Sequence, residues 1–247
     1  MRIAAVILAA LALASTAVAA NGKALFGRYC ASCHGPDAGG SLGQKYGGGQ
    51  GRNNSVQVGR GPSLHGVGAL SADFYLRTGY MPLKENGIQP RRSRQLLGDQ
   101  EVDALIRYVA SLGTGPAVPH PHPERGNVAE GMHLFATNCA GCHQIVAAGG
   151  YVTGAVPPAL GDPTPTQIAE AVRIGPYVMP KFSKRAISDA QLDSIVRYVL
   201  YTQHPDNRGG WALGNIGPIP EGLVSWFLAG TVLIGFCLVI GKRLKHG

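Results

Sequence analysis

The chain has 247 residues and a formal net charge of +8, from 22 Lys and Arg residues against 14 Asp and Glu. Several of the positive charges lie near the chain ends, in Arg2 and after Gly241. The part in between is therefore only mildly basic, and the charge gives no indication of a nucleic-acid partner.

The first 20 residues are apolar. After Arg2 the sequence is uncharged from Ile3 to Ala20, and Ala17–Ala19 has the small-x-small pattern of a cleavage site. These features predict a secretory signal peptide at residues 1–20. An uncleaved N-terminal anchor is the alternative, because 18 uncharged residues come close to the length of a membrane span.

The motif Cys-x-x-Cys-His occurs twice, at Cys30–His34 and at Cys139–His143. Two thiols at this spacing can bond to the two vinyl groups of a haem, and the histidine that follows is placed to bind the iron. The motifs therefore predict two covalently bound haem c groups. The attachment points are Cys30, Cys33, Cys139 and Cys142.

Paired cysteines have two other common uses. Two pairs can supply four thiolates to zinc, and one pair can act as a redox dithiol. Neither use requires a histidine directly after each second cysteine, and no strand-then-helix pattern surrounds either motif. We therefore favour haem attachment over both alternatives.

The sequence around the first motif repeats around the second. A glycine lies eight residues before the first cysteine in each case, at Gly22 and Gly131. Each unit ends in an apolar stripe with the i, i+3, i+4, i+7 spacing of an amphipathic helix. The two stripes are Val102, Leu105, Ile106, Val109 and Leu192, Ile195, Val196, Val199. We predict two tandem domains at residues 21–113 and 126–204, joined by a linker at 114–125.

The first unit has the longer loops, at residues 39–61 and 84–94. The second of these loops contains Arg91, Arg92 and Arg94. The basic cluster is expected either to be part of a solvated loop or to steer an acidic partner surface. Both units are small, on the order of 80 to 90 residues, so we expect a haem to complete each modest core.

Each unit resembles a class I cytochrome c domain, with the cysteine motif near the first helix and a Met-Pro pair well downstream. The resemblance implies an all-α fold in which His34 and Met81 are the axial ligands of the first haem iron. His143 and Met179 then bind the second iron. Two of the four methionines in the chain stand in these matching Met-Pro positions. Histidine with methionine fills both axial positions, which predicts electron transfer without substrate binding.

The same resemblance implies residues that support the ligands. The carbonyl groups of Pro62 and Pro158 are expected to accept the Nδ1 hydrogen of the haem histidines, although the adjacent Pro157 is an alternative in the second unit. Arg77 and Arg173 occupy matching places before the two methionines. We expect these arginines to pair with haem propionates.

The C-terminal part has three predicted segments. Residues 205–222 are rich in glycine and proline but too apolar for a free tether, so this linker is expected to pack against a partner. Residues 223–240 are uncharged and predict a transmembrane helix. Basic residues in the tail at 241–247 predict that this end is cytoplasmic and that the haem domains lie on the outer face of the cytoplasmic membrane.

Together, the tandem domains, the segment Met179–Ser183, the Gly-Pro-x-Pro-Glu-Gly run at 217–222 and the terminal anchor resemble a narrower family. This family is the two-haem cytochrome c subunit of the actinobacterial quinol:cytochrome c reductase, the cytochrome bcc complex. The resemblance implies cytochrome b and the Rieske iron-sulfur protein as partner subunits. It also implies electron transfer from the Rieske protein to a terminal cytochrome oxidase in aerobic respiration.

By that resemblance the chain is an enzyme only as an electron-transferring subunit, and it contains no catalytic residue of its own. Two alternatives stay open. One is a free-standing membrane-anchored electron carrier. The other is a two-haem redox enzyme, such as a peroxidase or a sulfur-compound dehydrogenase, in which one iron has no methionine ligand.

Overall fold

The computed structural model describes residues 21–41, 61–83, 89–205 and 218–245. The predicted signal peptide and most of the first glycine-rich loop lie outside these ranges. The helices are α1 (Gly22–Tyr29), α2 (Ala31–His34), α3 (Gly68–Arg77), α4 (Asp99–Ser111), α5 (Val128–Asn138), α6 (Ala140–His143), α7 (Pro165–Ile174), α8 (Asp189–Gln203) and α9 (Pro218–Lys245), with a 3-10 turn at Pro123–Arg125. Within the described ranges no β-strand forms, and one isolated bridge joins Val152 and Ala155. The predicted all-α fold class is confirmed.

The chain divides into two compact units, residues 1–204 and 205–247. In the first unit, α1 crosses α4 at Gly22. A Cβ added at Gly22 would lie 2.2 Å from the carbonyl oxygen of Ala104, so the two backbones approach too closely for any larger residue. Next to this crossing the buried Phe26 packs on Tyr108, with ring centroids 5.3 Å apart. The crossing fixes the helix that leads into the first cysteine motif.

The second half of this unit repeats the arrangement with α5 and α8. A Cβ added at Gly131 would lie 1.9 Å from the carbonyl oxygen of Ser194. The rings of Phe135 and Tyr198 are again 5.3 Å apart. The glycines that repeat in the sequence therefore mark equivalent helix crossings. Both predicted apolar stripes are buried, which confirms the amphipathic helices α4 and α8.

The two halves of the first unit, one with the motif Cys30–His34 and the other with Cys139–His143, are docked on each other. Helices α3 and α7 are in contact, and Glu170 of α7 is fully buried. The connection between the halves also packs on both of them. The Leu70 amide donates to the Pro116 carbonyl over 3.1 Å, and the His122 amide donates to Asp193 over 2.7 Å. The predicted linker at 114–125 is therefore attached to both halves along its length.

In the second unit, α9 has 28 residues. Its segment Gly222–Leu244 has a mean hydropathy of 2.4 and is long and apolar enough to cross a membrane, as the sequence predicts. The helix begins five residues before the predicted span of 223–240 and ends five residues after it. Side chains at 223–229 and 231–244 are exposed, with Trp226 at 81%. Residues 206–217, which hold most of the predicted partner-packing linker, lie outside the described residues.

Candidate haem-binding sites

The first candidate site is a cavity of about 780 Å³ in the first half of the first unit. Its lining brings together the sequence-predicted residues Cys30, Cys33, His34 and Met81. Apolar side chains complete the wall, namely Leu76, Leu83, Leu96, Leu97, Val102 and Leu105. Helix α1 ends at the motif because α2 starts a new helical turn there, with the His34 amide donating to the Cys30 carbonyl over 2.9 Å.

The ring of His34 is held by a hydrogen bond to a backbone carbonyl. Its Nδ1 lies 2.8 Å from the carbonyl oxygen of Pro62. Because a carbonyl only accepts, Nδ1 carries the hydrogen and Nε2 keeps the lone pair that a metal needs. A Cβ at Gly61 would lie 2.7 Å from Nδ1, so only glycine permits this approach. The sequence signal for Gly61 was weak, since it stands at the end of a long glycine-rich run.

The second candidate site is a cavity of about 1220 Å³ that brings together Cys139, Cys142, His143 and Met179. Nδ1 of His143 lies 3.0 Å from the carbonyl oxygen of Pro158. The alternative, Pro157, instead accepts a hydrogen bond from the Gly150 amide over 3.1 Å. Burial lowers the pKa of His143, and the bond to Pro158 opposes that shift. The neutral ring with a free Nε2 is the form that binds iron.

The wall of the second cavity includes residues of the first half. They are Phe74, Thr78, Tyr80, Gln89, Pro90 and Arg92. Sequence reasoning did not anticipate this contribution, because the docking of the two halves has no local pattern. The one available signal was the Arg91–Arg94 cluster, which lies in a loop that the second tandem domain, at residues 126–204, lacks.

The thiols do not have the properties of an exchange site. Burial, with the neighbouring thiol, raises the pKa of Cys30 and of Cys139 to about 11 in each case, whereas reactive dithiols have lowered values. The two pairs also line separate cavities. Across the described ranges no group of three or more His, Cys, Asp or Glu side chains is arranged to hold a metal ion. This geometry favours neither the dithiol nor the four-thiolate zinc site.

Arg77 is engaged by carboxylates of α3 and α4. Its Nε lies 3.0 Å from Asp73 and its Nη1 3.5 Å from Asp99, while Nη2 contacts Asp103. The Asp73 contact is an i,i+4 pair that the sequence contained. Hydrogen bonds and charge from Asp73 and Asp103 raise the pKa of Arg77 against the opposing effect of burial. These contacts tie α3 to α4.

Arg173 has the equivalent position and a similar role. It donates to the Ile187 carbonyl over 2.7 Å and to Asp189 over 2.8 Å. Neither Arg77 nor Arg173 is among the described residues that line the cavities. Pairing of the two arginines with haem propionates stays a prediction, and their contacts favour a role in holding helices together.

Comparison with known proteins agrees with this geometry. Residues 19–113 match the family model for cytochrome c, and residues 126–199 match that for cytochrome c oxidase, cbb3-type, subunit III. Each cavity combines paired cysteines, a histidine with a free Nε2 and a methionine in an apolar wall, which fits a haem c with two axial ligands. The fold and the sites therefore define a c-type cytochrome with two cytochrome c domains.

Full-length relatives narrow this class. The cytochrome bc1 complex cytochrome c subunit of Mycobacterium tuberculosis is 34% identical over 239 residues, which cover 93% of this chain and 79% of the relative. The same subunit of Corynebacterium diphtheriae is 30% identical, over 90% of this chain and 80% of the relative. The chain belongs to the family of cytochrome c subunits of cytochrome bc1 complexes, as the sequence resemblance predicts. The cbb3-type cytochrome c oxidase subunit CcoP of Rhodobacter capsulatus is more distant, at 27% over 72% of this chain and 60% of the relative.

Proposed function

We propose that the chain is the dihaem cytochrome c of a respiratory quinol:cytochrome c reductase, and that it carries electrons from the Rieske iron-sulfur subunit to a terminal cytochrome oxidase. The observation that carries the proposal is the duplicated site, in which each of two apolar cavities gathers a Cys-x-x-Cys-His motif and a methionine. The names of the relatives support membership of a cytochrome bc1 complex.

The chain's own residues hold and orient the cofactors. Cys30 and Cys33 would form the thioether bonds to the first haem, and His34 and Met81 would bind its iron. The second site uses Cys139, Cys142, His143 and Met179. A haem bound by these residues would supply a one-electron couple. Pro62 and Pro158 keep the imidazole rings in place, and the apolar walls exclude water, so the sites are suited to repeated electron transfer.

Two cytochrome c domains in one chain suit a relay. The domains are docked through α3 and α7, so the second transfer does not wait for diffusion of a separate carrier. A methionine in each cavity argues against the peroxidase and the sulfur-compound dehydrogenase, which need an open iron position. The full-length relatives argue against a free-standing carrier.

The membrane placement follows from α9. Its apolar segment can cross a bilayer, and Lys242 and Arg243 follow at its C-terminal end. Basic residues are enriched on the cytoplasmic side of membrane helices. We therefore place the tail in the cytoplasm and the haem domains on the outer face, with residues 1–20 as a signal peptide or a second anchor.

The haem count tests the core of the proposal. We expect two haems per full-length chain by haemochrome absorbance and intact mass. Replacing both Cys30 and Cys33 with alanine removes one haem, whereas Cys237→Ala retains both because this thiol lies in α9 and has no partner motif. A wild-type chain with fewer than two haems would contradict the proposal.

Two further measurements separate the alternatives. Purification of the tagged chain in mild detergent should recover cytochrome b and the Rieske protein, and recovery of the chain alone would favour the free-standing carrier. The near-infrared sulfur-to-iron band of the oxidised protein should account for two haems. A band from one haem only would favour a redox enzyme.

A further inference from the structure

One loop of the first domain serves both cavities. It follows α3, and its Met81 lines the first cavity while the adjacent Tyr80 lines the second. Farther along the same loop, Gln89 and Arg92 also line the second cavity. The second haem site is therefore built by both domains, although its cysteines, histidine and methionine all come from the second.

Gln89 fixes this loop to the second domain. Its side-chain nitrogen donates to the carbonyl of Val156, and its side-chain oxygen accepts from the amide of the same residue, both over 2.8 Å. The neighbours of Val156, Ala155 and Pro157, line the cavity. Two hydrogen bonds from one amide define the position of the loop at the edge of the site.

Arg92 is held at the same edge. Its Nη2 donates to Oε1 of Gln167 over 2.9 Å. That oxygen also accepts from the amide of Thr164, at the start of α7, over 3.2 Å. The hydrogen-bonded helix start therefore fixes the acceptor to which Arg92 is attached.

Among the described residues, Arg92 has no acidic partner. In the parts of the chain that the structure describes, no carboxylate lies within 4.0 Å of it, in contrast to Arg77 and Arg173. Among the described residues that line the second cavity, Arg92 alone carries a permanent charge. The lining described for the first cavity contains no Lys, Arg, Asp or Glu. A cation with a neutral hydrogen-bond partner on an otherwise uncharged wall is arranged for an anion of the bound molecule.

The bound molecule implied by the proposed function, on which this step rests, is a haem with two carboxylates. Arginine is the side chain best suited to a carboxylate, because its planar fork can donate two parallel hydrogen bonds. We infer that Arg92 of the first domain binds a propionate of the haem held by the second domain. The second site is then complete only when the two domains are docked, and Arg92 raises the midpoint potential of that haem by offsetting the negative charge beside it.

The test is a redox titration of the full-length protein that resolves the two haems. Arg92→Gln is the main variant, and Arg91→Gln is the matched control, because Arg91 is exposed, as Arg92 is, but is not among the described lining residues of either cavity. Met81→His identifies which midpoint potential belongs to the first haem, since loss of a methionine ligand lowers that potential. Arg92→Gln should lower the midpoint of the second haem alone. The expected decrease in midpoint potential is up to about 59 mV, which corresponds to a tenfold change in the equilibrium constant for reduction of this haem.

The other outcomes are equally decisive. Arg92→Lys keeps the charge and should retain most of the potential, and a shift as large as that of Arg92→Gln would contradict a charge effect. Equal shifts in Arg92→Gln and Arg91→Gln, or no shift in either, would overturn the inference. Haem content distinguishes a failure of the Arg92 inference from a failure of the proposed function. Two haems with an unchanged midpoint refute only the role of Arg92, whereas a wild-type chain with fewer than two haems refutes the proposed function.

Discussion

The two cavities have the same predicted ligand set but different walls. In the described residues, the first is lined from Tyr29 to Leu105, entirely within its own domain. The second is lined from Phe74 to Val199 and includes a loop of the other domain. Duplication preserved the motif, the methionine and the helix crossing, whereas the connecting loops diverged. The longer loop of the first domain now covers part of the second site. The stability of the second domain is therefore expected to depend on the first domain more than the reverse.

The largest expected effect follows from this asymmetry. Replacing Cys30 and Cys33 with alanine should strongly destabilise the first domain, because its small core is completed by the haem. The second domain should lose stability as well, since its cavity wall contains Tyr80 and Arg92. The matched variant, with Cys139 and Cys142 replaced, should affect mainly its own domain. We expect the thermal midpoint of each directly affected domain to fall by more than about 15 °C.

Circular dichroism and hydrogen exchange resolved by domain would measure both variants. Equal damage to the partner domain in the two variants would show that the dependence is mutual. A native melting curve for the first domain in the absence of its haem would contradict the role of the haem in its core.

The two helix crossings are expected to behave alike. Gly131→Ala and Gly22→Ala place a methyl group 1.9 and 2.2 Å from a backbone carbonyl oxygen. The helices must separate, which should reduce the free energy of unfolding by about 3 kcal/mol. Gly141→Ala and Gly27→Ala are the controls, because among the described residues no atom beyond their own helix and chain neighbours lies within 4 Å of the added Cβ. Denaturant titration would measure all four, and a neutral effect at Gly131 would contradict the equivalence of the crossings.

The interface between the domains contains a buried carboxyl group, Glu170. Neither of its oxygens has a hydrogen-bond partner among the described residues. Burial and the neighbouring Asp73 carboxylate raise the pKa of Glu170 from 4.5 to about 9, while Arg77 opposes the rise. The folded state therefore keeps a proton that the unfolded chain loses above pH 4.5. Stability should fall as the pH rises from there to about 9, and should change little from this group beyond that pH.

Glu170→Gln should remove this dependence. The amide imitates the protonated acid, so the variant should match the wild type near pH 4 and exceed its stability by up to about 3 kcal/mol at pH 7. Asp162→Asn is the control, because Asp162 is exposed in the same domain. Thermal denaturation across this pH range would measure both. A constant difference between Glu170→Gln and wild type would show that Glu170 does not titrate in that window.

Prediction from the sequence was most successful where the signal was local. The buried stripes of α4 and α8 have a helical period, and the apolar segment of α9 is long and apolar enough to cross a membrane. The family resemblance also indicated Pro62 and Pro158, whose carbonyls lie against the histidine rings. These features depend on residues that are close in sequence or on a repeated order along the chain.

Features that depend on docking were not predictable. The hydrogen bond from Arg92 to Gln167 joins residues 75 positions apart, and nothing in either segment indicates the other. Arg77 shows a different difficulty. Its place before Met81 suggested a propionate partner, but Asp73 one helical turn earlier competes for the same guanidinium. Where two partners are possible, only the packing of α3 on α4 decides between them.

The smallest expected effect concerns the loop itself. Gln89→Ala removes both hydrogen bonds to Val156, which at an exposed edge should cost about 1 kcal/mol. The loss is local to this loop, so hydrogen exchange should become faster at residues 152–156 and in no segment of the first cavity wall. Arg94→Ala, an exposed change in the same loop, is the control. If exchange rose equally in both variants, the loop would be responding to substitution in general. Faster exchange in Gln89→Ala alone would support the Gln89 side-chain amide as the group that attaches the loop of the first domain to the edge of the second site.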